Sequence, residues 1–169
     1  IEHIVGSAFV DQIAMTTADE TMTGGAGNDT LAGGLGSDTY VFYRGDGQDT
    51  ISDTNNGSNA IVFGEGVTWS DLWIAAPTGQ FQLGIRGTTD QMSIAGNFVS
   101  GNNVIKAVDM SGAGSLDVSL INKVTVGTDV AQTLYGGSNT KDWILGYGGN
   151  DIIYGQASGG AEQNGNVII

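Results

Sequence analysis

From Glu2 onward an acid followed two places later by an apolar residue returns every nine positions: Glu2/Ile4, Asp11/Ile13, Glu20/Met22, Asp29/Leu31 and Asp38/Tyr40. Five consecutive hits in one register make this a repeat, and one short repeated unit excludes most globular folds. The pattern stretches by two residues to Asp49/Ile51, in RGDGQDTI, and by one more to Asn59/Ile61, in GSNAI. It is absent between Val62 and Val126, then returns at Asp142/Ile144, in GGSNTKDWI, and at Asp151/Ile153, in GYGGNDII. Near the end GNVII copies GNDII, with Val167 in the acid's place.

The spacing has a physical reading. In a unit G-G-x-G-x-D-x-U-x the glycines accept positive φ, so six residues turn tightly with their carbonyl oxygens facing one way. The last three residues form a short strand whose apolar residue points inward. Two units close one flat coil of about eighteen residues, so alternate turns stack on the same edge. Stacked turns set two carboxylates and several carbonyls around one gap. Calcium takes 6–8 oxygens with irregular geometry, magnesium demands a near-ideal octahedron, and zinc prefers His or Cys. The chain has one His and no Cys. Without an ion the stacked carboxylates repel while glycine-rich turns carry a large ordering entropy, so cation binding is expected to become folding free energy. The alternative for these acids is that they are solvated turn residues.

Charge supports the cation reading. The net charge is −13, yet residues 62–126 contribute only −2, so the remaining −11 lies with the repeats. Such an acidic chain is not expected to bind nucleic acid or an anionic membrane surface. No apolar run approaches a membrane span, and the absence of cysteine removes a disulfide framework. No basic region followed by an apolar stretch opens the sequence, which reads as a fragment of a longer protein without a visible amino-terminal secretion signal.

GGAGNDTLA and GGLGSDTYV resemble the nonapeptide repeats of RTX proteins, calcium-binding parallel β-roll proteins exported by type I secretion. IEHIVGSAFVD is similar to a degenerate lead-in rung. YVFYRGDGQDTI, IVFGEGVTWSDLW and IRGTTDQMSIAGNF are similar to the haemolysin-type calcium-binding related segment that interrupts or follows such repeats. The resemblance spans residues 1 to about 156 and implies an all-β chain, a right-handed parallel β-roll interrupted by a small, mainly antiparallel insert. Repeats would occupy 1–61, the insert 62–126, and a second set of repeats 127–169, expected to form one split roll. Residues 157–169 would be a cap or the cut edge of a longer array.

The resemblance also implies how several calcium ions would be shared. One turn offers the carbonyls of its second and fourth residues plus its acid, and the turn two units later offers those of its first and third plus its acid. Carried over, Gly25, Gly27 and Asp29 would face Arg44, Asp46 and Asp49. Gly24, Ala26 and Asp29 would face the turn ending in Asp11. On the other edge Gly33, Leu35 and Asp38 would face the turn ending in Glu20, while Gly34, Gly36 and Asp38 would face Asn59. In the second array Gly136, Asp142, Gly146, Gly148 and Asp151 match. Departures at Glu20, Asn59 and Val167 suggest weak or empty outer sites.

Period-two alternation dominates the middle: Phe81, Leu83 and Ile85 share one face, as do Met92 and Ile94, and Leu116, Val118 and Leu120. WSDLW fits one helical turn capped by Ser70, and Pro77 with Gly79 marks a turn. A small sheet packed on or beside the roll is expected. Trp69 and Trp73 are expected in its core, with a sugar-stacking platform as the alternative. Trp143, beside inward Ile144, is expected to point outward, against the insert or a partner. His3 is expected at the surface.

Catalysis is not expected. No Cys is present and the single His lies at position 3, which removes Ser-His-Asp and Cys-His arrangements. Most of the aspartates are already placed by the repeat, and GGAGND has no Lys for a phosphate. The expected function is a monomeric calcium-binding module of a secreted, extracellular or cell-surface protein, whose resemblance implies the type I secretion machinery as partner. Alternatives are an adhesive module binding a glycan or cell-surface ligand through 62–126, and an accessory repeat domain of a secreted lipase, protease or epimerase.

Overall fold

The computed structural model describes residues 2–53, 57–75, 80–95, 104–112, 114–119, 121–137, 141–155 and 167–168. It has two compact units, Ile1–Ser119 and Leu120–Ile169.

Each nonapeptide of the first unit yields one short strand: β1 (Glu2–Val5), β2 (Gln12–Ala14), β3 (Glu20–Thr23), β4 (Thr30–Ala32), β5 (Thr39–Phe42), β6 (Gln48–Ile51) and β7 (Asn59–Phe63). Strands alternate between two sheets, β1-β3-β5-β7 on one side and β2-β4-β6 on the other. Every pairing among them is parallel, with partners two units apart, such as Glu2 with Glu20 and Gln12 with Thr30. This is the parallel β-roll. The stretched units hold the same alignment, Leu31 opposite Ile51 and Tyr40 opposite Ile61. Their extra residues are absorbed in turns, because slipping a strand by one residue would send its apolar side chain outward. The inward residues Met22, Leu31, Tyr40, Ile51 and Ile61 are buried, whereas Ile4 and Ile13, in the first rung, are half-buried.

The middle of the chain continues these sheets. Its strands are β8 (Leu72–Ala75), β9 (Gln80–Ile85), β10 (Gln91–Ala95), β11 (Ile105–Met110) and β12 (Gly114–Asp117). β10 pairs in parallel with β6, and β11 in parallel with β7. Antiparallel β9 and β8 are added beyond β10, and antiparallel β12 beyond β11, completing two six-stranded sheets. The antiparallel strands expected there exist, but they extend the roll instead of forming a separate sheet. The reason is that β6 and β7 would otherwise leave backbone groups unpaired beside the apolar Ile51, Ile61 and Phe63. Phe81, Leu83, Ile85, Met92 and Ile94 are buried on the continuation.

Three local expectations need correction. The 3-10 turn Trp69–Asp71 is capped by Thr68, not Ser70: the Asp71 carboxylate accepts both the Thr68 N–H and its hydroxyl, at 2.8 and 2.7 Å. Trp73 is half-buried and lies across Gly84, where any side chain would collide with the indole. Pro77, Gly79 and Leu120 lie outside the described residues. Trp143 is fully buried, because its strand has both faces covered: Asp142, Trp143, Ile144 and Leu145 are all buried.

That strand belongs to the second unit, which comprises β13 (Ile121–Val126), β14 (Thr133–Tyr135), β15 (Lys141–Leu145), β16 (Ile152–Tyr154) and β17 (Val167–Ile168). Here β13-β15-β17 and β14-β16 form parallel sheets. Val167 pairs with Trp143, not with Asp142, so it does not stand in an acid's place. Gln132 does, followed two residues later by buried Leu134. This rung escapes a search for acids because an amide replaces the carboxylate.

The rings of Phe42 and Phe63 meet edge to face at 6.0 Å, both fully buried. Phe42→Ala is expected to cost about 3–5 kcal/mol, read as a lowered denaturant midpoint in saturating calcium.

Candidate metal centre

The glycines bring the stacked turns into contact. Gly25, Gly27, Gly34 and Gly36 have φ between 88° and 151°, a region that only glycine adopts freely. A side chain on Gly25 would strike the Ser7 carbonyl, and one on Gly27 would reach the Phe9 carbonyl. On the other edge Gly34 faces the Met15 and Thr16 carbonyls and Gly36 the Ala18 carbonyl. In return, the Gly24 carbonyl lies against Gly6, and those of Gly146 and Gly155 against Gly127 and Gly136. Oxygens of successive turns therefore meet across the gaps.

The acids form a ladder of their own. Asp29 Oδ1 accepts the Asp11 N–H at 2.8 Å, and Asp49 Oδ1 accepts the Asp29 N–H at 3.0 Å. On the opposite edge Asp38 Oδ1 accepts the Glu20 N–H at 3.0 Å, and Asn59 Oδ1 accepts the Asp38 N–H at 2.9 Å. In the second unit Asp151 Oδ1 accepts the Gln132 N–H at 3.1 Å. One oxygen of each ladder acid is thereby fixed to the backbone two units earlier.

The other oxygen distinguishes the turns. Glu20 Oε2, Asp29 Oδ2 and Asp38 Oδ2 are buried without a hydrogen-bond partner. Those of Asp29 and Asp38 lie against Gly24 and Gly33, the first glycine of their own turns. A buried carboxylate oxygen left unpaired is costly, and three of them on stacked turns call for a cation. Asp109 Oδ1, in β11, is also unpartnered but lies outside the turns. Asp11 and Asp142 differ: Asp11 Oδ2 accepts the Ser7 N–H and hydroxyl at 2.6 and 2.8 Å, and Asp142 Oδ2 accepts the Gly137 N–H at 2.7 Å. Among the described residues no three acidic or imidazole side chains converge on one point. A cation here would be held by paired acids and carbonyls, an all-oxygen set that fits calcium.

The expected grouping of Gly25, Gly27 and Asp29 with Arg44, Asp46 and Asp49 is brought together, but backbone bonds partly close it. Gly27 N–H donates to the Asp46 carbonyl at 2.9 Å, and the Gly27 carbonyl accepts from Gln48 at 3.3 Å. The Arg44 guanidinium points away to Asp71, at 3.1 Å. Leu35 and Ala26 are exposed, as carbonyl donors in a tight turn can be. Gly148 packs near Asp129. Sequence reasoning missed Asp90. Its buried carboxylate accepts the N–H groups of Gly45 and Gly47 at 2.8 and 3.3 Å, closing the top of the 43–49 turn. Its only sequence signal is its place immediately before β10.

A family model of the RTX calcium-binding nonapeptide repeat, in four copies, matches residues 16–51 and 136–158. These stretches are RTX calcium-binding nonapeptide repeats. The match includes the three acids with unpartnered oxygens, so the repeats carry the calcium-binding character on the same turns as the geometry does. No curated protein matches the chain.

With no cation present, burial pushes Asp38 up to about 6, helped by the Glu20 and Asp53 carboxylates and opposed by the Glu20 N–H. Burial likewise pushes Asp49 up to about 7, with Asp29, Asp46 and Asp90 adding to it. A raised carboxyl value means that stability is fully present below the unfolded value and is lost as pH rises through the folded one. Asp11 and Asp71 are lowered, chiefly by hydrogen bonds from Ser7 and Thr68, so their contribution changes only at more acid pH. In chelator the far-UV β signal is therefore expected to grow between pH 8 and pH 5, while calcium affinity falls over the same interval. A chelated chain whose β signal falls on acidification would contradict this.

Asp29→Asn and Asp38→Asn keep the ladder oxygen and replace the unpartnered one with a donor. Each is expected to leave the β signal in chelator no lower than that of the wild type and to raise the calcium midpoint by about an order of magnitude, measured by titration calorimetry.

Proposed function

We propose that this chain is a calcium-dependent folding and stability module of a protein exported by type I secretion. The observation that carries the proposal is the set of buried, unpartnered oxygens on Glu20, Asp29 and Asp38, held on stacked turns of which those of Asp29 and Asp38 are rich in glycine. Where calcium is scarce, these carboxylates oppose the closed roll and the glycine-rich turns favour the open chain. Outside the cell, calcium at millimolar levels fills sites of about 10⁻⁴–10⁻³ M affinity, and the binding free energy becomes folding free energy. An unfolded, acidic, cysteine-free chain suits passage through a channel. The module itself is non-catalytic, and its cargo or parent supplies any activity.

The adhesive reading needs aromatic side chains displayed on the insert. Among the described residues of 62–126 no aromatic is exposed: Phe63 and Phe81 are fully buried, and Trp69 and Trp73 are half-buried.

Far-UV circular dichroism of the chain in chelator, titrated with calcium and separately with magnesium, tests the proposal. Cooperative gain of β signal with calcium alone is expected. A chain already fully folded in chelator, with a melting temperature unmoved by calcium, would reject it.

A further inference from the structure

The rung ending in Asn59 is built differently from those below it. In the rungs of Asp29 and Asp38 the acid gives one oxygen to the ladder and leaves the other buried and unpartnered. Asn59 gives its Oδ1 to the same ladder, accepting the Asp38 N–H at 2.9 Å. Its second atom, however, is an amide nitrogen. That Nδ2 donates to Asp53 Oδ2 at 3.2 Å. The Tyr40 hydroxyl donates to the same oxygen at 2.6 Å and accepts the Gly33 N–H at 3.0 Å. Asn59, Asp53 and Tyr40 are all buried, and Gly33 is the first residue of the turn that ends in Asp38.

We infer that this network stands in for a cation, so that the calcium column on the Glu20–Asp38 edge ends below Asn59. This rests on the calcium reading above and corrects one assignment the resemblance implies, that Gly34, Gly36 and Asp38 share an ion with Asn59. The chemistry is direct. A carboxylate at position 59 would add an anion beside buried Asp53 and need a cation between them. The amide instead presents a donor to Asp53, and the Tyr40 hydroxyl supplies a second. The rung is thus satisfied by side chains that the chain itself carries. Tyr40 serves two purposes, since its ring fills the inward column while its hydroxyl ties the Asp38 turn to Asp53. Burial and the Asp53 carboxylate raise the phenol above its ordinary range, so it remains a donor throughout neutral pH.

Calcium bound per chain, counted by equilibrium dialysis for the wild type, Asn59→Ala and Asn59→Asp, tests this. Asn59→Ala is expected to keep the wild-type count while melting lower in saturating calcium; a count reduced by one makes Asn59 a ligand and overturns the inference. Asn59→Asp is expected to bind one more calcium and to fold with a steeper dependence on calcium concentration; an unchanged count overturns the equivalence of amide and cation. Should Asn59→Asp fail to fold, Tyr40→Phe replaces it, with an unchanged count and lower melting in saturating calcium expected and a reduced count contrary. If the wild type binds no calcium, the functional reading fails; the network then stands or falls on whether Tyr40→Phe melts lower in chelator.

Discussion

A carboxylate that is used twice governs this fold. One oxygen accepts a backbone N–H from two units earlier, as Asp29 does from Asp11 and Asp38 from Glu20. That bond fixes the acid on the inside of the turn, and fixing it there buries the second oxygen. The glycines follow from the same constraint. Close approach of turn to turn, which lets the ladder bond form, leaves no room for a Cβ at Gly25 or Gly36. Structure and cation demand are two ends of one side chain.

The apolar interior is subordinate to this arrangement but uneven along it. The first rungs offer half-buried Ile4 and Ile13, while later ones stack Tyr40, Phe42, Ile61 and Phe63 and continue into Phe81, Leu83 and Ile85. The unpartnered ladder oxygens lie on Glu20, Asp29 and Asp38. Beyond them Asp90 closes the 43–49 turn, and Asn59 with Tyr40 closes the facing edge. Electrostatic need and hydrophobic supply thus run in opposite directions along the roll. In the second unit, Tyr147 occupies the place of a repeat glycine with φ at 60°, a left-handed conformation costly for a side chain of that size.

The regular part of this structure was legible because a nine-residue period fixes both turn and strand. Every acid and apolar pair from Glu20/Met22 to Asp38/Tyr40 falls where the spacing put it. What escaped the sequence depends on contacts distant along the chain. Asp90 has no repeat around it, and its role exists only because β10 lies against β6. The merging of the middle strands into the roll could not be read, since period two reports which face is buried and not which strand lies alongside. Trp143 was misplaced because alternation assumes that one face meets water, and β15 has neither face exposed. Gln132 was passed over because it joins the ladder through its backbone N–H, which donates to Asp151, and a search for acids does not see a backbone group.

The two ends of the first unit differ in the kind of edge they present. At one end lie β1 and β2, whose partners among the described residues run parallel to them; at the other lie β8 and β12, each antiparallel to its neighbour. A strand reversed in direction carries its turn to the opposite end, so the stacking of turn on turn that builds the acid ladder stops where β9 and β12 reverse.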